Sequence, residues 1–244
     1  LSLHDALPIY VEEHGCDIGI ATDGDADRLG VIDDKAEFLH PNKILVLLYY
    51  YLMRYRGWRG AAVRNLATTH LLDRIAEDFG ETCYEVPVGF KYVSAKMVET
   101  GAIIGGESSG GLTVRGHIQG KDGIYAAALL VEAIAKTGRR LSALWDEITQ
   151  KYGAAEMAEH DFHFSSAERT RIFKLLMEDK QLPEFPCEIA KVSYMDGCKV
   201  YFKNGGWVIA RFSGTEPLLR VFCEMDTMEN AEKIAKILTE FLSL

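Results

Sequence analysis

Apolar and polar positions alternate in blocks along this chain, and the period of the pattern changes from block to block. Residues 17–22 form a short apolar run, which the acidic stretch Asp23-Gly24-Asp25-Ala26-Asp27-Arg28 interrupts. A second run, 29–32, resumes it, and Asp33-Asp34 read as a turn, so the pattern predicts two strands around an acidic loop. The densest apolar run, 44–53, predicts a buried helix over 43–55 with Asn42 as its N-cap. A strand follows at 60–66, then an amphipathic helix at 69–79 ended by Gly80, a strand at 82–86 and a short helix at 93–100. Ile103-Ile104 lead into a Gly/Ser-rich loop, 105–111, and Asp122 caps an apolar helix at 123–137. Alternating strands and helices of this kind predict an α/β layer architecture.

A further helix is expected at 141–152, and beyond it the texture changes. A strand at 159–164, a helix at 166–179 and a Pro-containing connection at 182–187 lead into strand-like runs at 189–194, 198–202, 206–212 and 218–224. A helix at 229–242 closes the chain. Strands followed by a helix predict a small α+β domain, with a boundary near Gly153.

Composition narrows the function classes. With 48% hydrophobic and 26% charged residues in 244, the chain reads as globular rather than disordered. Twenty-seven basic and 36 acidic residues leave a net charge of −9, which argues against nucleic acid or an anionic membrane as partner. The apolar run 44–53 is far shorter than the ~20 residues that span a bilayer. Five scattered cysteines with no C-x-x-C argue against a disulfide framework and for a reducing compartment, the cytoplasm. The N-terminus is the exception to the texture. Residues 2–9, SLHDALPI, precede a helix-like stretch at 10–14 and are similar to a translated sequencing adapter. Native sequence is therefore expected from about Tyr10, an ordinary N-terminal arm being the other reading.

Three residue groups carry candidate chemistry. Asp23, Asp25 and Asp27 stand at alternate positions after an apolar strand, where extended backbone points them to one side, and Gly24 and Ala26 are small enough for the loop to close. Three like charges held together call for a hard, oxygen-preferring cation, Mg²⁺. A solvated acidic turn is the plainer alternative. A calcium EF-hand fits badly, because its glycine and glutamate positions hold Arg28 and Asp34. A haloacid-dehalogenase phosphatase also fits badly, because Asp27 stands where that motif has Thr or Val. The second group is Gly105-Gly106-Glu107-Ser108-Ser109-Gly110-Gly111, whose Glu107 and Ser109 suit vicinal sugar hydroxyls. The third is Arg211-Phe212-Ser213-Gly214-Thr215-Glu216-Pro217 with Arg220, where a guanidinium, hydroxyls and turn amides suit a phosphate. A flexible surface loop and a polar hairpin turn are the plainer readings of these two.

DGDADR, GESSGG and RFSGTEP, in this order, resemble the α-D-phosphohexomutase superfamily of phosphoglucomutases and phosphomannomutases. Val88-Gly89-Phe90-Lys91-Tyr92 resembles a further substrate-loop segment of that family. The resemblance implies a three-layer α/β/α domain followed by a small α+β domain. It divides the chain into the end of a second mutase domain (1–37), a third, sugar-binding domain (38–152) and a C-terminal phosphate-binding domain (153–244). It implies interconversion of hexose 1-phosphate and hexose 6-phosphate through a hexose bisphosphate. Asp23, Asp25 and Asp27 would hold Mg²⁺, and Arg28 would steady the reacting phosphoryl charge. Lys91 would act near the substrate, in proton transfer or in merely attracting phosphate. Glu107 and Ser109 would hold sugar hydroxyls, and Arg211, Ser213, Gly214, Thr215 and Arg220 the distal phosphate. The family's phosphoserine loop, resembling T-A-S-H-N-P, does not occur in these residues, so the chain is expected to lack the N-terminal mutase domains and to be inactive alone. Gly111 resembles glucose-directed members; members acting on glucose and mannose often carry His there. Glucose phosphate is the favoured substrate and mannose phosphate the second. A haloacid-dehalogenase-type phosphatase and a non-catalytic sugar-phosphate-binding fragment are the alternatives.

Overall fold

The computed structural model describes residues 3–214 and 216–244. Contacts divide the chain into Leu1–Gly153 and Ala154–Leu244, so residues 1–37 and 38–152 share one unit.

The first unit opens with helix α1 (Leu3–His14), which begins well before residue 10 despite Pro8 within it. Strands β1 (Gly19–Thr22), β2 (Leu29–Ile32) and β3 (Phe38–Leu39) form an antiparallel sheet in that order. Strand β3 was not expected, because two residues carry no readable alternation. Helix α2 (Pro41–Arg54) is capped by His40 rather than Asn42: the ring Nδ1 accepts from the Asn42 amide at 3.2 Å. Pro41 presets the first helical turn, which moves the start forward. Asn42 is buried instead, and its Oδ1 accepts from the Thr69 amide at 3.4 Å.

Residues 44–53 are all buried, as the apolar run predicts. The run includes three tyrosines, which burial allows only because each hydroxyl donates onward. Tyr49 donates to Gly60 O, Tyr50 to Glu147 Oε1 and Tyr51 to Glu132 Oε1.

The main sheet combines β4 (Ala62–Asn65), β5 (Cys83–Val86), β6 (Ile104–Gly106) and β7 (Leu112–Val114) in the order β5-β4-β6-β7. Strands β5, β4 and β6 are parallel, and β7 turns back antiparallel. Helices α3 (Leu71–Asp78), α4 (Phe90–Thr100), α5 (Gly123–Thr137) and α6 (Leu141–Tyr152) complete the unit. Gly105 and Gly106, expected in a flexible loop, are buried strand residues. Their reason is packing. A Cβ on Gly105 would overlap Met97 and Val93 of α4, and one on Gly106 would lie 2.8 Å from Leu45 of α2. Successive residues of β6 thus face helices on opposite sides of the sheet, which makes three α/β/α layers. Arg64 of β4, 3% exposed, joins β4 to α3 and β5 through Asp73 (2.6 and 3.0 Å) and Glu85 (2.6 Å).

The second unit holds β8 (Glu156–His163), α7 (Ser166–Phe173) with a π-helical turn at Lys174–Glu178, β9 (Ile189–Ser193), β10 (Cys198–Phe202), β11 (Trp207–Phe212), β12 (Leu218–Met225) and α8 (Met228–Phe241). Its five-stranded sheet runs β8-β12-β11-β10-β9, antiparallel throughout. Alternate residues such as Val200, Val208 and Val221 meet Ile172, Ile234 and Leu238 in one core, which is the expected α+β arrangement. The five cysteines are unpaired, and no helix among the described residues is long and apolar enough to cross a membrane.

Candidate functional site

The acidic stretch is the loop of the β1–β2 hairpin, closed by the Thr22–Leu29 pair. It is a turn and not extended backbone: Ala26 N donates to Asp23 O at 3.1 Å, and Ala26 has φ of 58°. Turning, rather than alternation along a strand, is what converges the three aspartates. One carboxylate oxygen from each of Asp23, Asp25 and Asp27 lies within 4.8 Å of the others. Arg28 folds back over them, with Nε 2.6 Å from Asp23 Oδ2 and 3.4 Å from Asp27 Oδ1. Its hydrogen bond holds the Asp23 carboxyl below the usual carboxylate range. A donor set made only of carboxylate oxygens fits a hard divalent cation such as Mg²⁺.

Two residues that the sequence reading did not single out complete this loop. Lys121, just before the α5 cap Asp122, forms an ion pair with Asp27. Gly123, the first residue of α5, donates its amide to Ala26 O at 2.9 Å. The sequence signal was present in Gly120-Lys121-Asp122-Gly123, a capped helix start with a cation beside it, but nothing local says which loop it meets.

The second group follows β6 as a tight turn, with Glu107 N bonded to Gly111 O and Gly110 N to Glu107 O. Glu107 is 8% exposed, while Ser109 is exposed and lines a cavity with Asp23 and Arg28. A Cβ on Gly110 would sit 3.7 Å from Arg28 Cβ, so the turn lies against the acidic loop. Glu107 Oε1 accepts from Asn65 Nδ2 and from Gly89 N, both at 2.9 Å. The Val88–Tyr92 segment therefore meets the turn through Gly89. Lys91 is exposed on the first turn of α4, its Nζ 4.8 Å from the Tyr92 ring centroid. Among the described residues no hydrogen bond or ion pair joins Lys91 to the acidic loop.

The third group lies in the second unit. Arg211 of β11 pairs directly with Arg220 of β12, and Arg220 with Asp161 of β8. Two like charges opposite one another destabilise a sheet unless something offsets them. Here carboxylates do so. Asp196 accepts from Arg211 Nε at 2.8 Å, Glu216 from Arg220 Nη2 at 3.1 Å, and Asp161 lies 3.6 Å from Arg220 Nε. Asp196, in the β9–β10 turn, was not anticipated. Ser213 N donates to Leu218 O, the Ser213 hydroxyl accepts from Glu216 N at 3.3 Å, and Gly214 is exposed. Thr215 lies outside the described residues.

Residues 40–152 match the family model "Phosphoglucomutase/phosphomannomutase, alpha/beta/alpha domain III", and residues 173–241 match the C-terminal domain of the same family. The chain belongs to the phosphoglucomutase/phosphomannomutase family. This family membership removes the haloacid-dehalogenase alternative. A phosphoglucomutase/phosphomannomutase of Thermococcus kodakarensis is 34% identical over 93% of this chain and 47% of its own length. A phosphoglucosamine mutase of an Exiguobacterium species is 29% identical over 96% of this chain and 49% of its own. Among solved structures, one assigned to a phosphomannomutase of Thermus thermophilus has a TM-score of 0.77 at 30% identity, covering 98% of this chain and 49% of that one. The chain thus spans about half the length of the relatives it matches. These neighbours share the three-layer domain and the C-terminal α+β domain.

Proposed function

We propose that these residues form the metal-, sugar- and distal-phosphate-binding part of a phosphohexomutase, which interconverts hexose 1-phosphate and hexose 6-phosphate through a hexose bisphosphate. The observation that carries this is the contact between the acidic loop and the Glu107 turn within one unit, in a chain of this family. Asp23, Asp25 and Asp27 hold Mg²⁺, which supplies charge neutralisation for the moving phosphoryl group. Arg28, already beside two of the carboxylates, steadies that charge. Glu107 and Ser109 accept and donate to sugar hydroxyls. Arg211 and Arg220, with Ser213, Gly214 and Thr215, bind the phosphate that is not reacting; Lys91 supplies charge near the substrate.

In the reaction, a phosphoryl group passes from a serine to a sugar hydroxyl, giving the bisphosphate. The bisphosphate turns round, and its other phosphoryl group returns to the serine. That serine belongs to the part of the family's chain that resembles T-A-S-H-N-P, so we expect these 244 residues to bind ligand but not to turn it over alone. We take glucose phosphate as first substrate, mannose phosphate as second, and a reducing compartment such as the cytoplasm as the location. A Cβ on Gly111 would overlap the Lys121 side chain, so a larger residue there would require Lys121 to move away. A non-catalytic sugar-phosphate-binding protein is the second reading; binding of hexose phosphate without turnover in the presence of the family's N-terminal domains would favour it.

Turnaround sets the test. Two chemically different phosphates take turns at one anchor, so the anchor should read phosphate oxygen and ignore the sugar carbon bearing it. Arg211→Ala should weaken glucose 1-phosphate and glucose 6-phosphate alike, by about tenfold to a hundredfold, as expected for losing a charged hydrogen bond. Titration calorimetry with each isomer reads this out. Strong impairment of one isomer with the other spared would refute the shared anchor.

A further inference from the structure

The end of strand β4 places a buried amide where the sugar-binding reading assigns no role. Asn65 is 2% exposed. Its Oδ1 accepts from Ala67 N at 2.9 Å and from Thr68 Oγ1 at 2.8 Å. The Ala67 amide and the Glu107 carboxylate decide the orientation of the side-chain amide, since flipping it would set a donor against an N–H and an acceptor against a carboxylate. Nδ2 must therefore point the other way, where it donates to Glu107 Oε1 at 2.9 Å. Gly89 N donates to the same oxygen, also at 2.9 Å. It can do so because its φ of 130° is a conformation that residues with a Cβ rarely adopt. The backbone next to Glu107 is held too, because Ser108 N donates to Thr68 Oγ1 at 3.1 Å.

Glu107 Oε1 is thus filled by two donors, while Oε2 takes no hydrogen bond among the described residues. A carboxylate pinned through one oxygen offers the other in a single direction. Its strand neighbour Arg64, bound to Asp73 and Glu85, points to the other face of the sheet, so it does not compete for Glu107. We infer that Asn65 is a positioning residue: its amide fixes Glu107 so that Oε2 alone faces the ligand, which selects the hydroxyl geometry of the hexose. This rests on the reading of Glu107 as the sugar-hydroxyl acceptor.

The test is Asn65→Ser in the whole 244-residue chain. A serine hydroxyl can still accept from the amide two residues on, but it is too short to reach Glu107. Hydrogen exchange at single amides reads the clamp directly. The Gly89 amide should exchange at least about tenfold faster while the Ala67 amide keeps its protection, and the melting temperature should fall modestly, because a buried hydrogen bond to a carboxylate is lost. Glucose 6-phosphate affinity should fall by roughly tenfold, the loss expected for misplacing a charged acceptor. Asn65→Thr, which likewise keeps an acceptor for the Ala67 amide and cannot reach Glu107, should act in the same direction should the serine variant fold poorly. Unchanged Gly89 exchange would overturn the inference. So would parallel loss of Ala67 protection and ligand affinity, which marks a purely structural role. Wild-type chain that ignores glucose 6-phosphate would instead sink the sugar reading, and Gly89 exchange would still decide whether Asn65 holds Glu107.

Discussion

Gly123→Ala is the perturbation that the structure makes most quantitative. A Cβ there would lie 2.7 Å from Arg28 O, 2.9 Å from Arg28 C and 3.0 Å from Ala26 O. All three are backbone atoms of the acidic loop, so no side chain can swing aside. Either the loop or the first turn of α5 must move by several tenths of an ångström. Overpacking of this kind costs about 1–3 kcal/mol. Displacement also weakens the hydrogen bond from Gly123 N to Ala26 O, worth about 0.5–1.5 kcal/mol. Alanine's better helix propensity returns at most about 1 kcal/mol. The net expectation is a loss of about 1–3 kcal/mol, seen as a lower urea midpoint, together with weaker Mg²⁺ binding by calorimetry. Gly24→Ala is the control. It sits inside the acidic loop itself, yet no atom beyond its own chain neighbours lies within 4 Å of its added Cβ, so its effect should stay within about 0.5 kcal/mol. A wild-type urea midpoint and Mg²⁺ affinity for Gly123→Ala, or a larger loss for Gly24→Ala, would refute the reasoning.

Three further outcomes are expected. Asp25→Asn should abolish Mg²⁺ binding by calorimetry without lowering stability, because it removes one of three mutually repelling carboxylates; equal binding heats would sink the metal assignment. Lys121→Met should tighten Mg²⁺ by up to about fivefold, since its ion pair with Asp27 competes with the metal and partly exposed pairs are worth about 0.2–1 kcal/mol. Asp78 accepts from Lys151 (2.6 Å) and Tyr152 (2.8 Å), and these bonds hold its carboxyl below the usual range. A depressed carboxyl contributes stability above its unfolded value of about 3.9 and loses it as pH falls through the folded value. Asp78→Asn should therefore lower the melting temperature slightly at pH 7, by at most about 1 kcal/mol equivalent, with the gap to wild type closing below about pH 4.

The candidate groups could be picked out of the sequence because each is contiguous. Asp23, Asp25 and Asp27 lie in one hairpin loop, Glu107 and Ser109 in one turn, Arg211 and Ser213 at one strand end, and local spacing alone brings such neighbours together. The helices over 123–137 and 141–152 and the strand over 198–202 were equally legible, since a cap or an apolar period is a local signal. What tertiary structure decided is which separate segments touch. Asn65 meets Glu107 across 42 positions, and Arg211 meets Asp196 across 15, with no periodicity linking either pair. Gly105 and Gly106 looked like the freedom of a ligand loop, and packing against α4 and α2 makes them the close approach of a buried strand. Composition gives a glycine or an asparagine the same letter in either role. The difference lies in the atoms that the folded chain brings within about 3 Å of it, and some of those, such as Leu45 against Gly106 and Glu107 against Asn65, come from residues tens of positions away.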